Sequence, residues 1–206
     1  MVSVIIPTFN AEKTIKRSIE SVLNQTYQDI ELIIVDDNSN SNTYEIIRDI
    51  KDKRITYIKN GASKGIALSS NIGIRMAQGE LIAFQKDDSE WVKYKLEIQL
   101  EAMKEFNCDI ITGKVFFYNT EKWISTPAEI INEEEITNEM LYKNFISMQT
   151  ILGKREYFIK ENFDSNYKVL QDWELMIRIS REHRIHFINE PLANGYDQEK
   201  SLEEDI

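Results

Sequence analysis

Short apolar runs that alternate with amphipathic stretches constrain this chain more than any other feature. Val2-Ser3-Val4-Ile5-Ile6, Leu32-Ile33-Ile34-Val35, residues 55–58 and residues 81–84 carry almost no polar interruption. A strand with one wet face alternates apolar and polar side chains, whereas a strand buried on both faces reads as such a run. Between the runs, Ile15, Ile19, Val22 and Leu23 fall at i, i+4, i+7 and i+8. That spacing predicts a helix with Asn10 as its N-cap and Glu12 in its first turn. A second helix is expected over residues 43–49 and a third from about 65 to 77. Strand and helix repeated in this way point to an α/β protein with a doubly wound, mostly parallel sheet.

The second half is less regular. A helix after Trp91 is expected to turn Leu96, Leu100, Met103 and Phe106 to one side, followed by a strand over 110–118. Glu133, Glu134 and Glu135 open a helix to about 145, in the first turn where acidic side chains suit the helix dipole. A strand over 148–152, a helix over 173–181 and a strand over 185–188 complete the reading. An antiparallel portion is therefore expected in this half. No repeat, linker or composition break divides the 206 residues, so one domain is expected.

Composition removes several classes of function. Lys and Arg number 25 against 35 Asp and Glu, and the net charge of −10 lacks the basic footprint of a nucleic-acid protein. It equally lacks the general basicity of a protein held to anionic lipid. Cys108 is the single cysteine, which excludes an intramolecular disulfide and argues against a thiolate zinc site. In Cys108-Asp109-Ile110-Ile111 it reads as a buried, inert thiol. No apolar run approaches the ~18 residues of a membrane span. Met1 leads straight into the first strand without a basic leader, so a cytoplasmic location is expected.

Open α/β sheets bind ligands beyond the carboxyl ends of their strands. Pro7-Thr8-Phe9-Asn10 follows the first strand, Asp36-Asp37-Asn38-Ser39-Asn40 the second, and Lys86-Asp87-Asp88-Ser89 the fourth. Either acidic pair alone reads as a solvated turn or a helix cap. Two such pairs at neighbouring strand ends repel each other unless a cation or ligand donors lie between them. A divalent ion carrying phosphates fits there, because magnesium is typically held by one or two carboxylates plus phosphate oxygens. Lys64-Gly65 before the third helix reads either as a bare turn or as an anion site at a helix N-terminus. His183 and His186 straddle a helix end and a strand start, which argues against a metal site. Trp91 and Trp173 read either as cleft walls or as core packing.

These segments together resemble the family 2 glycosyltransferases, inverting enzymes of the GT-A fold, of the bacterial cell-surface polysaccharide type. The opening run through Pro7, Thr8, Phe9 and Asn10, the turn Asp36-Asp37-Asn38-Ser39, Lys64-Gly65 with Asn71-Ile72-Gly73, and Gly79-Glu80-Leu81-Ile82-Ala83-Phe84 carry the resemblance. Phe84 to Trp91 corresponds to the metal motif, and Phe163-Asp164 through Leu170-Gln171-Asp172-Trp173-Glu174-Leu175 to the segment with the catalytic base. The resemblance implies nucleotide contacts at Pro7, Thr8, Phe9, Asn10, Asp37, Lys64 and Asp87, a Mn2+ or Mg2+ ion at Asp88, and Asp172 as general base. It implies a nucleotide-binding half over 1–91 and an acceptor-binding half over 92–206. Many members read Asp-x-Asp-Asp before the Trp. Here Lys86 stands where the first Asp would be, as in members that carry only the adjacent pair.

The implied reaction moves a sugar from a nucleotide-diphosphate donor, a UDP-sugar by resemblance, to a saccharide or glycolipid acceptor. Acceptors of that kind are compatible with a peripheral encounter with the inner face of the cell membrane. Displacing the nucleotide needs its leaving charge stabilised, which a divalent ion does, and a base beside the attacking hydroxyl. The other reading of Asp172 is a helix N-cap before Trp173. Asp37 can accept a hydrogen bond from uracil N3–H beside a stacking face on Phe9, or it can close the turn through Asn38 and Ser39. A nucleotidyltransferase would open with a glycine-rich loop, which Pro7-Thr8-Phe9-Asn10 is not, and a receiver-like domain would be shorter. A non-catalytic nucleotide-sugar-binding subunit of a larger transferase is the remaining alternative, kept by Lys86 and the short C-terminal end.

Overall fold

The computed structural model describes residues 1–117, 122–124 and 133–196. The strands are β1 (Val2–Thr8), β2 (Ile30–Asp36), β3 (Ile55–Lys59), β4 (Leu81–Phe84), β5 (Glu90–Trp91), β6 (Ile110–Phe117), β7 (Lys122–Ile124), β8 (Leu152–Lys154) and β9 (Ile185–Gly195). The helices are α1 (Ile15–Leu23), α2 (Thr43–Asp49), α3 (Ile66–Met76), α4 (Lys95–Glu105), α5 (Glu133–Met140), α6 (Arg155–Lys160) and α7 (Gln171–Ser180). The described strands lie in one sheet system of order β3-β2-β1-β4-β8-β6-β9-β5, with β7 beside β6. β3, β2, β1 and β4 run parallel. β8 is antiparallel to both β4 and β6, while β9 returns parallel to β6. The expected parallel sheet with an antiparallel portion in the second half is therefore observed.

β1 lies between β2 and β4, and its whole length is buried. Val4 and Ile6 pack into a cluster with Ile15 and Ile19 of α1 and Leu96 of α4. Ile5, pointing the other way, joins Ile74 of α3, Phe84 and Leu175 of α7. The alternation of side chains along a strand thus builds a core on each face. Cys108 is buried as expected.

Several expected details differ. Asn10 does not cap α1: the chain makes a turn in which Thr14 and Ile15 N–H bond to Ala11 O, and the helix starts at Ile15. Glu12 accordingly precedes the first turn. On α4 the buried face is Lys95, Leu96, Gln99 and Ala102, and Phe106 is 41% exposed against the His186 ring. Leu96, Leu100 and Met103 of the expected stripe pack on the core, Phe106 does not, and two polar side chains of the helix also face inward and bond to each other. Residues 148–150 form one 3-10 turn rather than a strand, and β8 begins only at Leu152. α7 starts at Gln171, so Asp172 lies inside its first turn and Leu170, in left-handed conformation, precedes it. β5 and α6 were not anticipated, and β9 extends well beyond 188. Residue 118, at the end of an expected strand, and the side chains of Glu133, Glu134 and Glu135 lie outside the described residues.

α3 packs closely on β1 where Gly73 meets Ile5. A Cβ on Gly73 would stand 2.5 Å from Ile5 Cγ2, deep in the core. Gly73→Ala is expected to lower stability by about 1–3 kcal/mol, the usual cost of overpacking, in urea denaturation at unchanged m-value.

Candidate functional site

The carboxyl ends of β1, β2 and β4 open onto a cleft of about 710 Å³. Pro7, Thr8 and Phe9 line it from β1, Asp37 from β2, and Lys86 and Asp87 from the loop after β4. Ser147, Met148 and Gln149 form a wall with Phe163 and the stretch Tyr167-Lys168-Val169-Leu170-Gln171-Asp172. Residues separated by most of the chain thus meet at one edge. Of the residues singled out from sequence, Asn10 and Asp88 fall outside the lining. Asn10 instead ties loops together: its N–H donates to Ser39 Oγ at 2.9 Å and its Oδ1 accepts Asn40 N–H at 3.0 Å. Its φ of 51° is one that asparagine tolerates better than most residues.

The first acidic pair is held by protein donors. Asp36 accepts Ser39 N–H at 2.7 Å and the Tyr57 hydroxyl at 2.6 Å, so it is Asp36 that closes this turn. Asp37 does not, and its turn-closing reading through Asn38 and Ser39 is corrected. Its carboxylate receives Asn60 Nδ2 at 2.8 Å, Ser63 Oγ at 2.7 Å, Lys64 N–H at 2.7 Å, Gly65 N–H at 2.8 Å and Ser69 Oγ at 3.1 Å. Burial raises its pKa, but the bonds from Ser63, Lys64, Asn60 and Gly65 outweigh that and hold it below the usual carboxylate range. The Lys64 and Gly65 N–H groups, read from sequence as either a bare turn or an anion site, are taken by the protein's own Asp37 carboxylate. The backbone of Gly65, at φ 85°, is what lets both N–H groups turn to Asp37.

The second pair is less satisfied. Burial and the neighbouring Asp88 push Asp87 up to about 6, against the pull of the Thr8 hydroxyl, the Phe9 N–H at 3.3 Å and Lys86. Asp88 meets Ser89 Oγ at 3.1 Å and lies 3.9 Å from Lys86 Nζ. Ser18 of α1 holds the Lys86 carbonyl at 2.8 Å, and Arg17 the Asp88 carbonyl at 2.9 Å. Among the described residues no cluster of three carboxylate, imidazole or thiolate groups could cage a metal ion. The crowded Asp87 and Asp88 fit a divalent ion only in the sparse mode, with phosphate oxygens completing its shell.

Asp172 reaches the same cleft from α7. Its Oδ1 accepts Trp173 N–H at 2.9 Å and its Oδ2 accepts Met148 N–H at 3.1 Å. Burial raises its pKa, while Trp173 and Met148 N–H and the charge of Lys86 oppose the rise. Its N-cap reading fails, because the helix opens one residue before it. Trp91 and Trp173 pack rather than line the cleft: their Nε1–H groups donate to Gln149 O and Met140 O. His183 and His186 stack on Tyr157 and Phe106. The 147–149 wall was missed, since nothing in Ser147-Met148-Gln149 signals a site. Among the described residues no helix is long and apolar enough to cross a membrane.

Comparison with known proteins gives the same answer from another direction. The sequence profile of glycosyl transferase family 2 matches residues 3–165. The UDP-Glc:alpha-D-GlcNAc-diphosphoundecaprenol beta-1,3-glucosyltransferase WfgD of Escherichia coli is 34% identical over 190 residues, 92% of this chain and 73% of that protein. S. aureus TarS 1-349 in complex with UDP-GlcNAc superposes with a TM-score of 0.81 at 19% identity, covering 97% of this chain and 59% of that one. The mannosyltransferase PcManGT of Pyrobaculum calidifontis, in complex with GDP-Man and Mn2+, gives a TM-score of 0.73 at 15% identity over 97% of this chain and 57% of its own. The sheet order, the cleft and these matches agree, and the chain belongs to glycosyl transferase family 2, with the GT-A fold.

Proposed function

We propose that the chain carries out inverting transfer of a sugar from a UDP-sugar to a saccharide or lipid-linked saccharide acceptor, with Asp172 as general base. The observation that carries this reading is the meeting of Asp172 with the β1, β2 and β4 strand ends across one cleft. In this reading the nucleotide lies along Pro7, Thr8, Phe9, Asp37, Lys64 and Asp87, in the half over 1–91. Asn10 acts from behind, through its bonds to Ser39 and Asn40. Asp37 serves the nucleotide by fixing residues 60–65, since its own lone pairs are filled by protein donors. The acceptor lies toward the 147–149 and 167–172 walls, in the half over 92–206. The names of WfgD and of the TarS complex support uridine donors, and that of WfgD supports a lipid-diphosphate acceptor. An acceptor of that kind would bring the protein to the inner face of a membrane.

Asp172 takes the proton of the attacking hydroxyl. Burial makes it a stronger base than an exposed aspartate, and the two N–H bonds fix the direction in which it accepts. In this reading Lys86, exposed at the cleft wall, meets the donor's diphosphate. A Mn2+ or Mg2+ ion, bound by Asp88 with Asp87 beside it, would supply Lewis-acid stabilisation of the departing diphosphate. The 3.9 Å approach of Lys86 to Asp88 favours one second reading, a nucleotide-sugar-binding subunit with weakened metal dependence, and a product assay over a panel of UDP-sugars separates the two.

Asp172→Asn, at nearly constant volume, is expected to reduce transfer by at least ~10²-fold while UDP still binds. Because the carboxyl is raised, it takes up its proton at a higher pH than an ordinary aspartate. The acid limb of kcat at saturating UDP-sugar is therefore expected above the usual value of about 4, and near-parental transfer by folded Asp172→Asn would dismiss the assignment. Asp88→Ala is expected to weaken Mn2+-dependent UDP binding by roughly tenfold or more, the scale of a lost bond to a charged group. Lys86→Ala should cost much less of the metal-dependent part. Calorimetric titration with and without Mn2+ compares them, and equal metal-dependent losses would contradict the metal assignment.

A further inference from the structure

Behind the cleft, several buried polar side chains converge on the backbone of residues 147–150. Trp91, 3% exposed, donates Nε1–H to Gln149 O at 2.9 Å. Gln99, with no exposed surface, donates Nε2–H to Thr150 O at 2.7 Å and Ile111 O at 3.3 Å. The Thr150 hydroxyl donates to Ser147 O at 2.7 Å and lies 2.6 Å from the Thr112 hydroxyl. Lys95, also fully buried, donates Nζ to Gln99 Oε1 at 2.6 Å and sits 3.9 Å over the Trp91 ring.

This arrangement has one direction. With Oε1 committed to Lys95, the Gln99 amide must turn its N–H groups toward the two carbonyls. A flipped amide would set donor against donor and carbonyl against carbonyl. Burying a lysine and a glutamine is costly where leucine or methionine would pack, and an apolar pair could not grip the turn. The turn so gripped carries the Met148 N–H that donates to Asp172 Oδ2.

We propose that Gln99, oriented by Lys95 and acting with Trp91 and the Thr150 hydroxyl, is a positioning residue for sugar transfer: it pins the 147–150 turn so that Met148 N–H holds the Asp172 carboxylate in one orientation. The proposal rests on Asp172 being the base. The charged group that faces Asp172 is Lys86, from the loop after β4, and Lys95 acts only through Gln99 and the turn. Positioning partners of this kind typically account for 10–100-fold in activity where they have been removed around metal ligands, and a comparable scale is expected here.

The test uses Gln99→Met together with Thr150→Val and Thr150→Ser. Val removes the hydroxyl at nearly constant shape, and Ser restores it. Gln99→Met and Thr150→Val are expected to lower kcat by roughly tenfold or more with KM for the UDP-sugar within about twofold. The acid limb of the rate profile should move to higher pH, because loss of the Met148 N–H destabilises the Asp172 carboxylate. Thr150→Ser should retain both kcat and the limb. A merely structural network would lower the melting temperature and leave kcat and the acid limb of the folded protein in place, which would overturn the proposal. Equal kcat loss in Thr150→Ser and Thr150→Val would overturn it as well. Should Gln99→Met not fold, the Thr150 pair decides alone. Asp172→Asn assayed beside them separates the two claims: near-parental transfer there removes the base itself, whereas its loss with unaffected Thr150→Val removes only the positioning role.

Discussion

The complete burial of β1 governs the rest of the molecule. A strand covered on both faces and paired on both edges leaves no lateral position where a polar side chain can meet a ligand. Chemistry is displaced to the point where the strand ends, and β2 and β4 end beside it. The register pairs Thr8 with Asp36, and Gln85 N–H bonds Ile5 O, so the three loops leave the sheet as neighbours. The cleft is a consequence of that shared edge, and the antiparallel β8 brings the second half of the chain against it.

Crowding carboxylates at one edge has a cost, and the fold meets it unevenly. Asp36 and Asp37 are satisfied by hydroxyl, amide and backbone donors. Asp87 and Asp88 have fewer donors, Phe9 N–H at 3.3 Å on the one and Ser89 Oγ at 3.1 Å on the other, and burial and its neighbour push Asp87 up to about 6. The saturated pair therefore ties the loops after β2 and β3 in place, and the sparsely bonded pair is the one with capacity for an incoming cation or hydroxyl group. Asp172 stands apart again, lining the cleft with a backbone N–H on each oxygen.

What was legible in the sequence followed from patterns that physics makes local. The four parallel strands showed because burial on two faces leaves an unbroken apolar run, and β4 was bounded correctly by Leu81 and Phe84. α2 likewise appeared as read, from Thr43 to Asp49. The features that escaped depend on distant partners. Gln99 and Lys95 look solvent-facing until each is known to satisfy the other. Residues 148–150 look like a strand until the Thr150 hydroxyl is seen to bond back to Ser147 O. Asp37 looked like a turn residue or a ligand group, and its five donors come from residues 60, 63, 64, 65 and 69, which no local pattern ties to it. The approach of Asp172 to the β4 loop, 85 residues earlier in sequence at Asp87, came from resemblance and not from spacing.

The central claim is that one carboxylate, Asp172, activates the acceptor across the cleft from the departing nucleotide, so that transfer is a single displacement. Proton NMR of the product formed from an α-linked UDP-sugar reads this through the coupling of the new anomeric proton. Single displacement gives a β-linked product formed directly, without transient α-product. An α-linked product would require attack from the same side as the leaving group, and would contradict it.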